Sequence, residues 1–269
     1  MRRILLFVAV VLTFQFNLFA DTAYVNLVND FFGTMDLNTG AFTQIGNSIG
    51  NDLGLALSNG ALYSIDGSGN LIRINQSNGA ITIIGNTGIS TLTKITALGS
   101  SIFAIDRSGN LNSINATSGV ATPIGPTGLG PIVNPFVSSL AGSSTLYYTQ
   151  QTTPTNAELY TLNPTTGAAT PVGPTTGHLG GSAFVNNTLF GFITPNGSFP
   201  PLPLPQIDTI NPTTGAATFF AATTSEVAGG VAIPAASVPE PASLITLGMS
   251  LAGLGLLLRK KMANPTTSC

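Results

Sequence analysis

Residues 71–85 read LIRINQSNGAITIIG, and this stretch decides the fold because it recurs along the chain. Two short runs rich in β-branched residues flank a loop that carries asparagine early and glycine late, which is the pattern of a β-hairpin. The unit is found five times, with its loop glycine at Gly40, Gly79, Gly119, Gly167 and Gly215, at spacings of 39, 40, 48 and 48 residues. A repeat of this length predicts a propeller or a solenoid.

Two further strands are predicted ahead of each hairpin. A run such as LYSID at 62–66 leads into the hairpin through a turn rich in glycine and asparagine, and a run of small residues such as GLAL at 54–57 comes before it. Four strands in each repeat of about 40–48 residues are typical of a propeller blade. The small residues suit the innermost strand, because the blades crowd together at the axis.

The ends of the repeat region predict how the ring closes. Residues 23–25 match the second strand of a repeat, and residues 229–233 match the first strand. We therefore expect one C-terminal strand and three N-terminal strands to complete a blade, which removes the unpaired edges of an open array. The prediction is an all-β, five-bladed propeller of four-stranded blades over residues 21–233. An open β-solenoid of the same hairpins is the alternative.

The N-terminus predicts a signal helix over residues 1–20. Arg2 and Arg3 precede an apolar run at 4–13, and Ala20 before Asp21 offers a small residue at a cleavage point,. An uncleaved membrane anchor is the alternative, although a run of ten residues is short for a span.

The C-terminus predicts a linker at 234–243, a transmembrane helix at 244–258 and a basic cytoplasmic tail at 259–269. The apolar run has no charge, and a stop signal of three cations follows it: Arg259, Lys260 and Lys261,. A buried terminal core helix is the alternative, but such a helix should have a polar face. The linker contains Val238, Pro239, Glu240 and Pro241. Its prolines fix φ and remove backbone donors, so the segment is held extended and suits a protease cleft.

Val238-Pro239-Glu240-Pro241, the apolar span and the basic cluster together resemble the PEP-CTERM sorting domain of Gram-negative bacteria over residues 237–261. The resemblance implies an exported precursor, anchored in the inner membrane, that an exosortase (a membrane-embedded cysteine protease) cuts near the motif. It also implies a host that secretes exopolysaccharide and forms biofilm. The tail at 262–269 departs from the family, which usually ends soon after its basic cluster. The repeats loosely resemble secreted bacterial propellers of unknown function.

Composition argues against nucleic-acid binding and against disulfides in the body. Residues 21–237 keep three cations and nine acids, a net charge of −6. Nucleic-acid binding is not expected, because it needs a positive patch. The only cysteine is Cys269, at the end of the tail, so no disulfide is expected in the body,. A body of roughly 217 residues can bury a core without one.

No set of residues predicts catalysis, a metal or a cofactor. The only histidine, His178, falls in a glycine-rich connection and is expected to be a surface residue. Asp66 and Asp106 stand before equivalent turns and have the oxygen chemistry that Ca²⁺ prefers, but each is expected to cap its turn instead,. Propeller glycosidases need paired acids in the funnel, and the predicted innermost strands carry none.

We therefore expect a non-catalytic propeller of the cell surface or matrix that presents a neutral surface, rich in asparagine and threonine, to exopolysaccharide or proteins. A lactonase-like or cyclotransferase-like enzyme acting at the funnel mouth is the alternative, and dense O-linked glycosylation of the threonines is a third hypothesis. The proline-rich loop at 195–205 is expected to be a stiff surface excursion, with partner binding as its alternative,.

Overall fold

The computed structural model describes residues 22–27, 31–47, 54–132, 139–152, 156–176, 178–185, 187–194 and 205–232. The chain divides into two compact units, Met1–Pro234 and Ala235–Cys269, and every described residue lies in the first. The predicted signal helix, Pro-Glu-Pro linker, transmembrane helix and basic tail lie outside the described residues. Within the described ranges, no helix has the length and apolar character needed to span a membrane.

The described part of the chain forms twenty strands in five antiparallel sheets of four strands each. The first blade contains β20 (Val227–Ala232), β1 (Thr22–Leu27), β2 (Phe31–Asp36) and β3 (Phe42–Asn47). The second contains β4 (Ala56–Ser58), β5 (Ala61–Ile65), β6 (Asn70–Ile74) and β7 (Ile81–Asn86). The third contains β8 (Leu92–Leu98), β9 (Ser101–Asp106), β10 (Asn110–Ile114) and β11 (Ala121–Pro126).

The last two blades follow the same order from inside to outside. The fourth contains β12 (Ser139–Gly142), β13 (Leu146–Gln151), β14 (Asn156–Leu162) and β15 (Ala169–Thr176). The fifth contains β16 (His178–Val185), β17 (Thr188–Thr194), β18 (Gln206–Ile210) and β19 (Ala217–Ala222).

The ring closes through the first blade. Strand β20, from the C-terminal end of the body, pairs antiparallel with β1, with Tyr24 opposite Ala232 and Asn26 opposite Gly230. The innermost strands β20, β4, β8, β12 and β16 contact one another in turn, and β16 returns to β20. The predicted five-bladed propeller with terminal strand closure is confirmed, and the open solenoid is wrong.

The hydrophobic core lies between the blades. Five clusters of buried side chains fill the five junctions, one between each pair of neighbouring blades. Leu71 and Ile102 belong to the cluster at the junction of the second and third blades, and Val25 and Phe192 belong to the cluster where the fifth blade returns to the first. Burying apolar area at every junction stabilises the closed ring as one unit.

The loop glycine of each repeat has a second role besides closing its turn. All five glycines of the repeat have a positive φ, between 68° and 82°, a conformation that favours residues without a Cβ. Each also packs against the preceding blade: a Cβ on Gly119 would lie 2.7 Å from the Gly85 carbonyl carbon, and one on Gly167 would lie equally close to that of Gly125. The repeated glycine therefore lets neighbouring blades touch through their backbones.

A repeated threonine ties the same junctions. Thr87 donates its hydroxyl to the Gly69 carbonyl of its own blade at 2.7 Å, and its carbonyl accepts the Ala121 N–H of the next blade at 3.0 Å. Thr127 makes the equivalent bonds, to the Gly109 carbonyl at 2.8 Å and from the Ala169 N–H at 3.0 Å. These threonines are buried, so each bond is shielded from water,.

Candidate binding face and central channel

The outer hairpins are closed by a repeated polar cap. In the fourth blade, Asn163 Oδ1 accepts the N–H groups of Thr165 at 2.8 Å and Thr166 at 3.1 Å, while the Asn163 carbonyl accepts the Gly167 N–H at 2.8 Å. Asn75, Asn115 and Asn211 head equivalent turns, and Asp36 takes this place in the first blade. Side-chain acceptors of this kind replace the backbone partners that a turn lacks.

The hairpin tips form a ring of exposed, uncharged polar groups. The residue before each repeated glycine is exposed in every blade: Thr39, Asn78, Ser118, Thr166 and Thr214. Because the blades share one strand order around the axis, these five tips come to the same end of the ring. We call this set the hairpin ring. Its hydroxyl and amide groups can both donate and accept hydrogen bonds.

Asp66 and Asp106 cap the turns between the second and third strands of their blades. Asp66 accepts the N–H groups of Ser68 and Asn70 at 2.9 Å, and Asp106 accepts the Asn110 N–H at 2.9 Å. Burial alone would raise the pKa of Asp66, but hydrogen bonds from Asn70 and Ser68 outweigh it and lower that pKa. The structure shows the predicted capped turn, and each carboxylate is engaged locally.

Two further acids lie on strands of the fourth and fifth blades. Asp208 is buried and accepts the Gln206 side-chain N–H at 2.7 Å; burial raises its pKa, and the hydrogen bond from Gln206 opposes that rise. Glu158 accepts the Tyr160 hydroxyl at 3.0 Å. Burial, followed by the bond to Glu158 and its charge, raises the pKa of Tyr160 to about 12. Across the described ranges, no three His, Cys, Asp or Glu residues gather where they could hold a metal ion.

A lysine occupies the centre of the ring. Lys94, on the innermost strand β8, is only 1% exposed, and its Nζ donates to the Gly180 carbonyl on β16 at 3.2 Å. Strand β12 lies between β8 and β16 in the ring, so the side chain reaches across the channel rather than to a neighbouring blade. A buried ammonium must be hydrogen-bonded to be tolerated, and one bond is made to this carbonyl.

The strand registers explain how the lysine fits. Lys94, Ser139, Gly181 and Gly230 pair with equivalent positions of the second strands, which places them at one level of the channel. Two glycines and a serine at that level leave room for one long side chain. The blades of β12 and β16 are also joined at this level, because Ser182 Oγ donates to Ser139 Oγ at 2.8 Å. The same Ser139 Oγ lies 2.7 Å from Thr149 Oγ1.

One residue singled out from the sequence lies elsewhere than predicted, and several others lie outside the described residues. His178 does not lie in a loop: it begins β16 and pairs with Thr194, because the innermost strand starts earlier than its run of small residues suggested. The sorting residues Val238, Pro239, Glu240 and Pro241, the stop signal at 259–261, the cleavage point Ala20-Asp21 and most of the loop at 195–205 lie outside the described residues. Lys94 was missed, since nothing in its sequence neighbourhood distinguishes an inward cation from an outward one.

Comparisons with known proteins support the sequence resemblance at the C-terminus. Residues 237–261 match the PEP-CTERM protein-sorting motif, and no curated protein matches the chain. BamB from Moraxella catarrhalis is a similar structure, with 12% identity and a TM-score of 0.36, covering 74% of this chain and 69% of its own.

PorZ is a second similar structure, described as a surface component of the type-IX secretion system of Porphyromonas gingivalis. It has 14% identity and a TM-score of 0.40, and the match covers 81% of this chain but only 25% of PorZ. Likenesses at these scores do not bear on function. The match at residues 237–261 does, because that motif marks an exported protein sorted by an exosortase. This chain is therefore a five-bladed β-propeller whose sequence continues, after strand β20, into the PEP-CTERM protein-sorting motif at residues 237–261.

Proposed function

We propose that the mature body is a non-catalytic binding or scaffold propeller of the cell surface or extracellular matrix, associated with exopolysaccharide. In this proposal, the precursor is held at the inner membrane by residues 244–258, and an exosortase cuts near Pro239-Glu240-Pro241. Strand β20 ends at Ala232, so only a short linker separates the finished ring from the motif. Cutting there releases the propeller without removing a strand.

The hairpin ring is the observation that supports this proposal. Its five tips repeat the same exposed amide and hydroxyl chemistry at one end of a rigid ring. A polysaccharide presents many hydroxyl groups along one chain, so a ring of equivalent tips can contact it at several points. Contacts that are weak singly become strong together when their spacing allows simultaneous binding. The net charge of −6 in residues 21–237 favours a neutral polymer over an anionic one.

The positions of the three turn-capping acids support a non-catalytic role. Hydrolysis of a glycosidic bond requires two carboxyl groups that face each other across the bond. Asp66 and Asp106 instead cap turns in separate blades, and Asp36 heads a hairpin. The Oδ1 atom of each of these three carboxylates already accepts at least one backbone N–H, so the carboxylates stabilise the scaffold.

The test is affinity electrophoresis of the body, residues 21–233, through gels that contain the purified exopolysaccharide of its host. We expect retardation by the polymer and no release of sugar from it. Replacing the five residues of the hairpin ring with alanine should abolish the retardation. A matched control replaces five exposed threonines on the outermost strands with alanine: Thr43, Thr82, Thr122, Thr170 and Thr218. That control should be retarded like the unmodified body.

Two results would contradict the proposal. One is equal mobility of the unmodified body with and without polymer; the other is release of oligosaccharide during incubation. Loss of retardation in the control but not in the ring variant would show that the binding surface was assigned wrongly.

A further inference from the structure

The outer edges of the five blades are not protected equally. Among the described strands, β3, β7, β11, β15 and β19 each end a sheet and so have one side without a strand. An edge strand is a template for pairing with another chain unless proline, charge or covering structure blocks it. At equivalent positions, β11 carries Pro123 and β15 carries Pro171, whereas β3 carries the polar Gln44, β7 carries Ile83 and β19 carries Phe219.

The prolines show which way the backbone points at this position. Proline has no N–H, so the sheet does not use an N–H there. Phe219 lies in the same register as Pro171, each directly before the bulge in its outermost strand. Hydrogen bonding in the hairpin agrees, because the backbone N–H of Asn211 donates to the Ala216 carbonyl. Residues of an antiparallel strand point their N–H and C=O alternately toward and away from the partner strand. Three residues after Ala216, the N–H and C=O of Phe219 therefore point away from β18.

The side chains of β19 leave this edge apolar as well as open. Phe219 is 60% exposed and Phe220 is 40% exposed. Phe220 is held edge-to-face against the buried ring of Phe190, with 5.2 Å between ring centroids. Strand β19 has neither a charged residue nor a proline, two features that protect many edge strands against pairing. Two large exposed aromatic residues beside an open edge are typical of an interaction surface.

We propose that the β19 edge pairs antiparallel with the β19 edge of a second copy of this chain, about a two-fold axis. Like-charge repulsion opposes association of two acidic bodies. Strand β19 has no charged residue, so pairing through it adds no further repulsion from the strand itself. The β7 edge is less suited to self-pairing, although Ile83 is 63% exposed. Thr82, next to Ile83 on β7, lies opposite the exposed Arg73 of β6, and a two-fold axis at this edge would bring two such cations together. The equivalent residue beside β19 is the uncharged Thr209.

The two-fold arrangement follows from the symmetry of the contact. Antiparallel pairing of identical edges uses the same patch on both copies and closes at two, which is the commonest symmetry of homo-oligomers. The paired segment is short, so we expect a weak dimer at the low end of interface size. Association of the bodies is then sensitive to a single change at the centre of the edge.

Sedimentation velocity of the body over a concentration series tests this inference. The ring closes within residues 22–232, so residues 21–233 can be studied alone. We expect a monomer–dimer equilibrium for the unmodified body and a monomer for Phe219→Pro, which copies the proline of β11 and β15. The matched control is Ile83→Pro, in the same register on β7, which should dimerise like the unmodified body.

Thermal unfolding establishes that both proline variants are folded. If Phe219→Pro does not fold, Phe219→Lys replaces it, because this variant sets two cations against each other at the two-fold axis while leaving Phe220 in place. A body that stays monomeric at every concentration, or a dimer that survives the Phe219 variant, would overturn the inference. Equal loss of the dimer in Ile83→Pro would overturn the assignment to β19.

Discussion

The backbone contact between blades gives the sharpest test of the fold. Gly119 has a φ of 80°, and a Cβ there would overlap the carbonyl group of Gly85 in the preceding blade. Gly128 has almost the same φ, 81°, but a Cβ there would meet no atom within 4 Å. Alanine at the two positions therefore suffers the same backbone strain, while only Gly119→Ala also forces two blades apart.

The expected magnitudes follow from these two contributions. A left-handed conformation costs an L-residue about 1–2 kcal/mol, which is the whole expected effect of Gly128→Ala. Displacing packed backbone adds about 1–3 kcal/mol, judged from overpacked cores, so Gly119→Ala should cost about 2–5 kcal/mol. The effect of alanine on the unfolded chain is common to both variants and cancels in their comparison.

Urea unfolding of the body, followed by circular dichroism, measures both variants. We expect Gly119→Ala to unfold at clearly lower urea than Gly128→Ala, with the same dependence on urea concentration. Gly85→Ala separates the contributions further, because Gly85 does not have a positive φ, yet its Cβ would overlap the Ser118 carbonyl. Equal stability of Gly119→Ala and Gly128→Ala would refute the contact between blades.

Variants at three other positions test the interior by urea unfolding. Lys94→Met should have nearly the same free energy of unfolding as the unmodified body, whereas Lys94→Ala should lower it by about 2–5 kcal/mol because it leaves a cavity in the channel. Equal losses in the two variants would contradict the packing role of the long side chain. Asn26 is buried with both side-chain amide atoms unpartnered among the described residues, so Asn26→Ile, which copies Ile65, should stabilise the body by about 1–3 kcal/mol; a loss would show that Asn26 is satisfied. Burial disfavours the charged form of Asp208 in the folded state and so raises its pKa. Asp208→Asn should therefore raise the free energy of unfolding at pH 7, and this gain should shrink as the pH falls through the pKa of Asp208. A gain independent of pH would contradict this.

The blade count and the closure could be predicted because they depend on the spacing of the repeat. Gly40 to Gly215 mark five units, and residues 229–233 match a first strand, so the ring follows without knowledge of any contact. The second role of these glycines could not be predicted, because a turn alone already explains them. Their contact with Gly85 or Gly125 depends on how far the outermost strands twist toward the next blade.

The centre of the ring was harder to predict than its outline. Lys94 stands among alternating residues, and such a pattern does not say which face of an innermost strand turns toward the channel. The space that the Lys94 side chain fills is left by Gly181 and Gly230, which lie on other blades and far away in sequence. Asp66 and Asp106 were predicted correctly as turn caps because that interaction is local, within four residues of each carboxylate.

In the proposed function, the sorting motif delivers a completed propeller. The most direct measurement is fractionation of the native host with and without its exosortase, with the intact mass of the protein determined in each fraction. We expect the host to release a body that begins near Asp21 and ends near Pro239-Glu240-Pro241, and the deletion strain to accumulate an uncut, membrane-bound form. Identical processing and location in the two strains would contradict the account.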